Sequence, residues 1–322
     1  MSLGARLSAV SSTGEPFEPP PLHVRTTALA DYTPATYLAV PSTESGDAYH
    51  PDVVDTITGW NGYRYWMAMT PYYNDGIATE NPEILASANG TTWVVPAGLT
   101  NPISPYPGGS NYHSDTDLVW VPTEGLMYCF YRSTGGPGGE GHRYRTSADG
   151  VNWSDETVFH IQGSSNNQVS PAYVRVHAGL WRVWWIDLGA RTLNTASASS
   201  PAGPWSTPVT CSINVPTGAV MWHLDVIRHD HMYYAMIYCD SAPAPIYGGL
   251  IGGISYDGVN WGESTDYLMK GNPATLNPLY RACLQPATGG FNVWVGATVP
   301  GLEPGFIVHR IALGFVPDTE FD

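Results

Sequence analysis

Three short runs bring together side chains able to do acid–base or metal chemistry: His50-Pro51-Asp52, His113-Ser114-Asp115-Thr116-Asp117 and Trp222-His223-Leu224-Asp225, with Tyr280-Arg281 near the end of the chain. Carboxylates beside imidazoles can move protons, hold a divalent cation or bond sugar hydroxyls, and a guanidinium among them balances charge. Each run leads into β-branched or aliphatic residues, Val53-Val54, Leu118-Val119 and Val226-Ile227, so the polar groups are expected at the starts of strands. Ser170 opens a comparable stretch, Pro171-Ala172-Tyr173-Val174, that carries no acid. Taken singly, each Asp or His is also what a channel needs to satisfy backbone groups and water; their convergence from several strands is what points to a ligand site.

A recurrent turn fixes how these strands are positioned. Ser147-Ala148-Asp149-Gly150-Val151-Asn152-Trp153 is preceded by Ser87-Ala88-Asn89-Gly90-Thr91-Thr92-Trp93 and followed by Ser255-Tyr256-Asp257-Gly258-Val259-Asn260-Trp261. A worn copy, Ser199 to Trp205, keeps only the Ser-to-Trp spacing. Asn-Gly and Asp-Gly tolerate the positive φ of tight hairpins, the Ser and Asx side chains can bond backbone N–H groups, and the Trp opens the next strand. The motif is therefore structural, and its spacing of 52 to 60 residues predicts one sheet per unit in a repeated array.

Counting units from these turns predicts an all-β fold, a five-bladed propeller with four-stranded antiparallel blades. The inner strands are expected to begin at Tyr49, Asp117, Ser170, Trp222 and Leu279, and the middle strands at Tyr63, Leu126, Trp181, Met232 and Phe291. Residues 1–45 form an extended, Pro-rich arm, residues 46–316 the propeller and residues 317–322 a tail. The fifth unit lacks a fourth strand, and a segment such as Thr36 to Val40 is expected to complete it, because a closed array leaves no open edge. In this arrangement His50, Asp52, His113, Asp115, Asp117, Ser170, Trp222, His223, Asp225, Tyr280 and Arg281 share one mouth, with Tyr49, Tyr72, Tyr73, Tyr106 and Tyr112 on its rim.

Composition narrows the partners. The 322 residues hold 28 acidic against 13 basic side chains, a formal charge of −15, which disfavours nucleic acid and anionic membrane surfaces. The 35 Gly, 28 Pro, 20 Tyr and 12 Trp suit short strands and tight turns. Cys129, Cys211, Cys239 and Cys283 lack metal or redox spacing and are expected as buried thiols. The first residues carry no apolar signal-peptide core, and no run is long enough for membrane insertion, so synthesis in a cytoplasm is expected. No cofactor motif is present; the spacing leaves Ca²⁺ in the central channel open.

The His-Pro-Asp of the first inner strand, Asp117-Leu118-Val119 of the second, Trp222-His223-Leu224-Asp225 of the fourth and Tyr280-Arg281 of the fifth, with Ser-x-Asp-Gly-x-x-Trp turns between, resemble the propellers related to family 43 glycoside hydrolases over about residues 46–316. That resemblance implies Asp52 as general base and Asp117 as the residue that tunes and orients. It also implies a third-blade Glu as general acid, whereas Val169-Ser170-Pro171-Ala172 stands there. A hydrolase lacking one carboxyl partner loses most of its rate, which implies a binding protein. The Pro-rich arm and the preference for Arg over Lys also resemble minor tail proteins of phages that infect actinobacteria. The expectation is then a tail-tip protein in the virion, contacting other tail proteins and binding host cell-envelope polysaccharide through the aromatic, acidic mouth. The alternative is an active glycoside hydrolase on cell-wall arabinan, with Asp52 as base.

Overall fold

The computed structural model describes residues 22–25, 37–38, 40–43, 48–72, 76–163, 165–241, 248–263, 267–270, 279–288, 290–298 and 306–317. Two strands come from the arm, β1 (Leu22–Arg25) and β2 (Tyr37–Leu38). The first sheet holds β3 (Tyr49–Trp60), β4 (Tyr63–Thr70) and β5 (Glu83–Ser87), and a bridge from Ala86 to Val94 adds an outer contact. The second holds β6 (His113–Val121), β7 (Leu126–Ser133), β8 (Gly141–Ser147) and β9 (Thr157–Phe159). In the third lie β10 (Gln168–His177), β11 (Leu180–Asp187), β12 (Thr192–Ala198) and β13 (Val209–Thr210). The fourth comprises β14 (Ala219–His229), β15 (Met232–Ser241) and β16 (Gly249–Ser255), with β17 (Gly262–Glu263) and β18 (Met269–Lys270) both on β16. The fifth runs β19 (Leu279–Ala287), β20 (Gly290–Thr298) and β21 (Phe306–Pro317). Every pairing within these sheets is antiparallel, and among the described residues the only helical turns are two short 3₁₀ pieces.

The arm joins the last sheet. Leu22–Arg25 pairs with Gly314–Pro317, and Tyr37–Leu38 pairs with Val308–His309, so both arm strands lie on β21. Thr36 lies outside the described residues, as do residues 1–21 of the arm, 318–322 of the tail and Tyr73 of the expected rim.

Alternation of apolar residues along β4, β7, β11, β15 and β20 presents side chains to both faces of each sheet, so every sheet buries apolar surface against two neighbours. Five apolar clusters result, one for each neighbouring pair: Trp66 and Ile84 against Leu118 and Met127, Phe130 and Phe159 against Tyr173 and Trp185, Trp184 and Leu193 against Leu224 and Ile251, Met236 and Leu250 against Leu284 and Val293, and Cys283 and Trp294 against Val53 and Met67. The last cluster joins the fifth sheet to the first. The inner strands do the same, β3 packing on β6, β6 on β10, β10 on β14, β14 on β19 and β19 on β3.

The repeated turns bolt this arrangement together. In the turn at residues 147–153, Gly150 N–H donates to Ser147 Oγ at 2.8 Å, and Val151 and Asn152 donate to Asp149 Oδ1 at 2.9 and 2.7 Å. The same bonds recur at Ser87 with Asn89 and at Ser255 with Asp257. Each turn seats on a tryptophan of another sheet: Trp294 Nε1 donates to Gly90 O and Trp184 Nε1 to Gly258 O, while a Cβ on Gly150 would stand 2.1 Å from the Trp66 ring. Glycine is therefore required there both for its φ of +74° and for the close approach.

Candidate active site

A β-bulge interrupts all five inner strands near their starts, between Tyr49 and Asp52, Ser114 and Asp117, Val169 and Ala172, Met221 and His223, and Leu279 and Ala282. His50, Asp115 and Ser170 sit at these bulges with φ of 48°, 57° and 48°, a left-handed backbone that non-glycine residues adopt at an energetic cost. Bulges re-aim side chains, and here they aim His50, Asp115, Ser170, His223 and Arg281 toward the axis. Two residues further along each strand stand Asp52, Asp117, Ala172, Asp225 and Cys283. Like positions of different strands meet, which stacks the polar groups in two tiers.

The upper tier is built on Asp115. His50 Nε2 lies 3.4 Å and His223 Nδ1 3.6 Å from its Oδ1, while Arg132 Nε donates to its Oδ2 at 2.9 Å. Burial works against ionisation of Asp115, but His50, Arg132, His223 and Arg281 overcome it and hold the carboxyl well below the usual carboxylate range. Burial pushes His50 down to about 3 and His223 well below its ordinary value, so both imidazoles are neutral at pH 7. Glu80, itself buried, reaches in with Oε1 3.6 Å from His50 Nδ1; burial first and Asp115 second raise it to about 8. Thr70 Oγ1, 3.1 Å from His50 Nδ1, and Ser170 Oγ, 2.5 Å from His223 Nδ1, fix the ring orientations. His223 Nε2 is buried and has no hydrogen-bond partner among the described residues.

Aromatic rings pack around this tier. Tyr280 lies 4.2 Å from the His223 ring and 4.3 Å from Tyr49, which stacks on Tyr72 at 5.1 Å. Half-buried Trp222 donates its Nε1 hydrogen to Tyr280 at 3.0 Å, and the Arg191 guanidinium lies 5.0 Å over the Trp222 ring. Such faces suit the C–H surfaces of sugars.

The lower tier has a different character. Asp52 Oδ2 accepts from Leu118 N–H at 2.5 Å, Asp117 Oδ2 from Tyr173 N–H at 2.9 Å, and Asp225 Oδ2 from Leu284 N–H at 2.9 Å. Each carboxyl thereby stitches its own inner strand to the next one. Burial and then mutual repulsion raise Asp52 and Asp117 well above the carboxylate range, and burial raises Asp225 to about 6. Below them a cavity of about 720 Å³ opens toward the far ends of the strands, lined by the three aspartates and by Trp120, Arg175 and Arg228 among others.

Of the residues nominated from sequence, His50, His223, Tyr280 and Trp222 meet in or beside the upper tier, and Asp52, Asp117 and Asp225 form the lower one. Arg281 is fully buried between them, with Nη2 3.8 Å from Asp117 Oδ1. His113 faces elsewhere: its ring meets Tyr131 edge-on at 5.2 Å, and burial lowers it to about 4. Asp115, expected at the mouth from sequence, anchors the upper tier, and Glu80, which the sequence did not place there, joins it. Asp115 had a legible signal, because His50-x-Asp52, Asp115-x-Asp117, Ser170-x-Ala172, His223-x-Asp225 and Arg281-x-Cys283 share one spacing. Glu80 had none; its loop is pinned against β6 by His113 N–H donating to Glu80 O at 3.0 Å. Among the described residues no carboxylate of the third sheet joins either cluster of ligand-type side chains, and Ser170 takes part in the upper tier through His223 and Asp115.

The upper set fits a divalent metal. Two neutral imidazoles and an ionised carboxylate are ligands for zinc-like ions, and ligand atoms sharing one such ion at about 2.1 Å stand roughly 3 to 3.5 Å apart. The 3.4 Å separation of His50 Nε2 from Asp115 Oδ1 agrees with that pattern, and His223, its Nδ1 held by Ser170, has Nε2 left over as a ligand atom.

No family model matches the chain. A stretch of 114 residues, 34% of this chain, is 44% identical to "A type blood N-acetyl-alpha-D-galactosamine deacetylase" of Flavonifractor plautii, and the match spans only 15% of that protein's length. Among solved structures, an N-acetylgalactosamine deacetylase from F. plautii in complex with blood group B trisaccharide superimposes with a TM-score of 0.73 at 23% identity, covering 87% of this chain and 93% of that one. An α-L-arabinanase mutant of Cellvibrio cellulosa gives 0.56 at 13% identity over 84% and 92%, and a family 62 α-L-arabinofuranosidase of Coprinopsis cinerea gives 0.55 at 13% over 85% and 95%. The chain thus shares an all-β fold of antiparallel sheets with these proteins, and about a third of it is related in sequence to a deacetylase.

Proposed function

We propose that this chain is a carbohydrate-active hydrolase that removes the N-acyl group of an amino sugar, with its chemistry in the upper tier. The observation that carries this reading is the buried set of His50, Asp115 and His223, with His223 Nε2 lacking a partner among the described residues and Glu80 beside the set. The 44% identical segment in a deacetylase supports it. The five sheets, with inner strands that pack in sequence and return to the first, support reading the fold as a five-bladed propeller.

In this reading His50, Asp115 and His223 hold a divalent cation, which when bound polarises the acyl carbonyl and makes water easier to deprotonate. Asp115 keeps its negative charge because Arg132 grips the oxygen turned away from the histidines. Thr70 and Ser170 hold the rings in place. Burial favours a protonated Glu80, which would pass its proton to the departing amine nitrogen as the C–N bond breaks, while the oxygen of water joins the acyl carbon and the proton that water gives up returns to Glu80; the products are a carboxylic acid and a free amino sugar. Tyr49, Tyr72, Tyr280 and Trp222 present ring faces to the sugar.

A glycoside hydrolase on the same fold is the second reading, favoured by the arabinanase-like neighbours and by Asp52 lining a ligand-sized cavity. The lower tier serves it poorly: an acid–base pair needs a carboxyl free to reach the glycosidic oxygen or water, and each of these aspartates has one oxygen committed to a backbone N–H. The virion-tail placement gains no support from the relatives, and an enzyme reading replaces it as the main one.

Incubation with oligosaccharides ending in N-acetylgalactosamine, before and after chelation, tests the proposal. Release of acetate that is lost on chelation and restored by Zn²⁺ or Mn²⁺ is expected. Release of reducing sugar without acetate would contradict it.

A further inference from the structure

The lower tier raises a separate question: what balances three carboxyl groups sealed in a channel. Asp52, Asp117 and Asp225 are all buried, and one oxygen of each can be chosen so that all lie within 4.8 Å of one another. Each already spends Oδ2 on a neighbouring strand, and Oδ1 of Asp117 is turned to Arg281. An all-oxygen cluster of this kind is a hard-cation site if nothing else supplies the charge. Arg281 is that something else. It comes from the fifth inner strand, its side chain is fully buried, and none of its three guanidinium nitrogens has a hydrogen-bond partner among the described residues. Its Nη2 stands 3.8 Å from Asp117 Oδ1, too long for a direct hydrogen bond but close enough to act as counter-charge in a desolvated interior. A buried guanidinium with idle donors is costly unless its charge is compensated, and these aspartates are the compensation available below it.

We infer that Arg281 is the built-in cation of the channel, standing where a bound divalent ion would otherwise be required, so that the native aspartate ring takes no metal and loss of the guanidinium converts it into a Ca²⁺ site. This concerns the lower tier and does not rest on the deacetylase reading. It also gives the fifth sheet a share in ring closure that its sequence otherwise lacks, because Cys283 stands where the first, second and fourth inner strands carry Asp.

The test is calorimetric Ca²⁺ titration and thermal melting of the full chain after chelation, in the wild type, Arg281→Met, Arg281→Lys and Arg281→Met combined with Asp117→Asn. The wild type should show no Ca²⁺ response that Asp117→Asn alone removes. Arg281→Met should melt lower in chelator, bind Ca²⁺ at least about tenfold more tightly than the wild type and regain stability with it, and the added Asp117→Asn should abolish that gain. Arg281→Lys, which keeps the charge, should behave as the wild type. Wild-type Ca²⁺ binding that Asp117→Asn abolishes would overturn the inference, as would an Arg281→Met protein that neither loses stability nor gains Ca²⁺ binding. If Arg281→Met does not fold in chelator, folding of Arg281→Lys together with Ca²⁺-dependent refolding of Arg281→Met supports the inference, and equal failure of both without Ca²⁺ rescue overturns it.

Discussion

The two tiers of the channel are made of similar residues, two positions apart on the same strands, and they are put to different uses. In the lower tier each aspartate is tied to the backbone of the next inner strand, and its charge is opposed by Arg281. In the upper tier the backbone is strained at His50, Asp115 and Ser170, the histidines are neutral, one ring nitrogen is unpartnered, and Glu80 is raised to about 8. A carboxyl group in a channel is thus not informative by itself. What separates a joint from a reactive site is whether its hydrogen-bonding capacity is consumed locally or left over at strained positions.

The largest effect expected from this contrast is on turnover. Glu80→Gln keeps shape and burial but cannot shuttle a proton, and steady-state acetate release should fall by about a hundredfold to ten-thousandfold with little change in melting temperature. A drop of less than tenfold would move the proton transfer elsewhere. Next is Ser170→Ala, which frees His223 Nδ1; loss of such a supporting bond is expected to weaken metal affinity by about 10- to 100-fold, read by competition with a chromogenic chelator. In the lower tier the outcome should invert. Asp117→Ala leaves the Tyr173 N–H without its acceptor and should cost about 1 to 3 kcal/mol in denaturant melts, while activity per folded molecule stays within a few-fold.

The smallest effect concerns His113, which belongs to neither tier. Its folded-state value, lowered by burial to about 4 from 6.5, means the unfolded chain binds more protons between these values. His113 therefore removes stability as pH falls from 6.5 through 4, and His113→Gln should lose less stability than the wild type over that window with activity at neutral pH unchanged. An activity loss at neutral pH would bring His113 back into the site.

Much of the architecture is legible from residue pattern. The Ser-x-Asx-Gly-x-x-Trp turns give the spacing of the sheets because their bonds are local, made within six residues, and the inner strands follow from where polar groups lead into β-branched runs. The arm strands on β21 were partly foreseeable from the missing fourth strand of the last unit. The division into tiers was not, since the bulges that aim His50 and Asp115 upward leave no mark in hydrophobic alternation. Glu80 was out of reach for a related reason: Thr79-Glu80-Asn81-Pro82 has the composition of a turn, and only the folding of that turn onto β6 carries the carboxylate to His50. Ser170, where a third-strand acid was expected, led toward a binding protein, whereas the acid of the proposed reaction, Glu80, lies between β4 and β5 of the first sheet.

In the proposed function the upper tier is the reactive one. The most direct measurement is product analysis of one N-acetylgalactosaminyl oligosaccharide treated with the wild type, Glu80→Gln and Asp52→Asn, quantifying acetate and reducing sugar together. Acetate is expected from the wild type and from Asp52→Asn, and essentially none from Glu80→Gln. Reducing sugar as the main product, lost in Asp52→Asn and kept in Glu80→Gln, would contradict it.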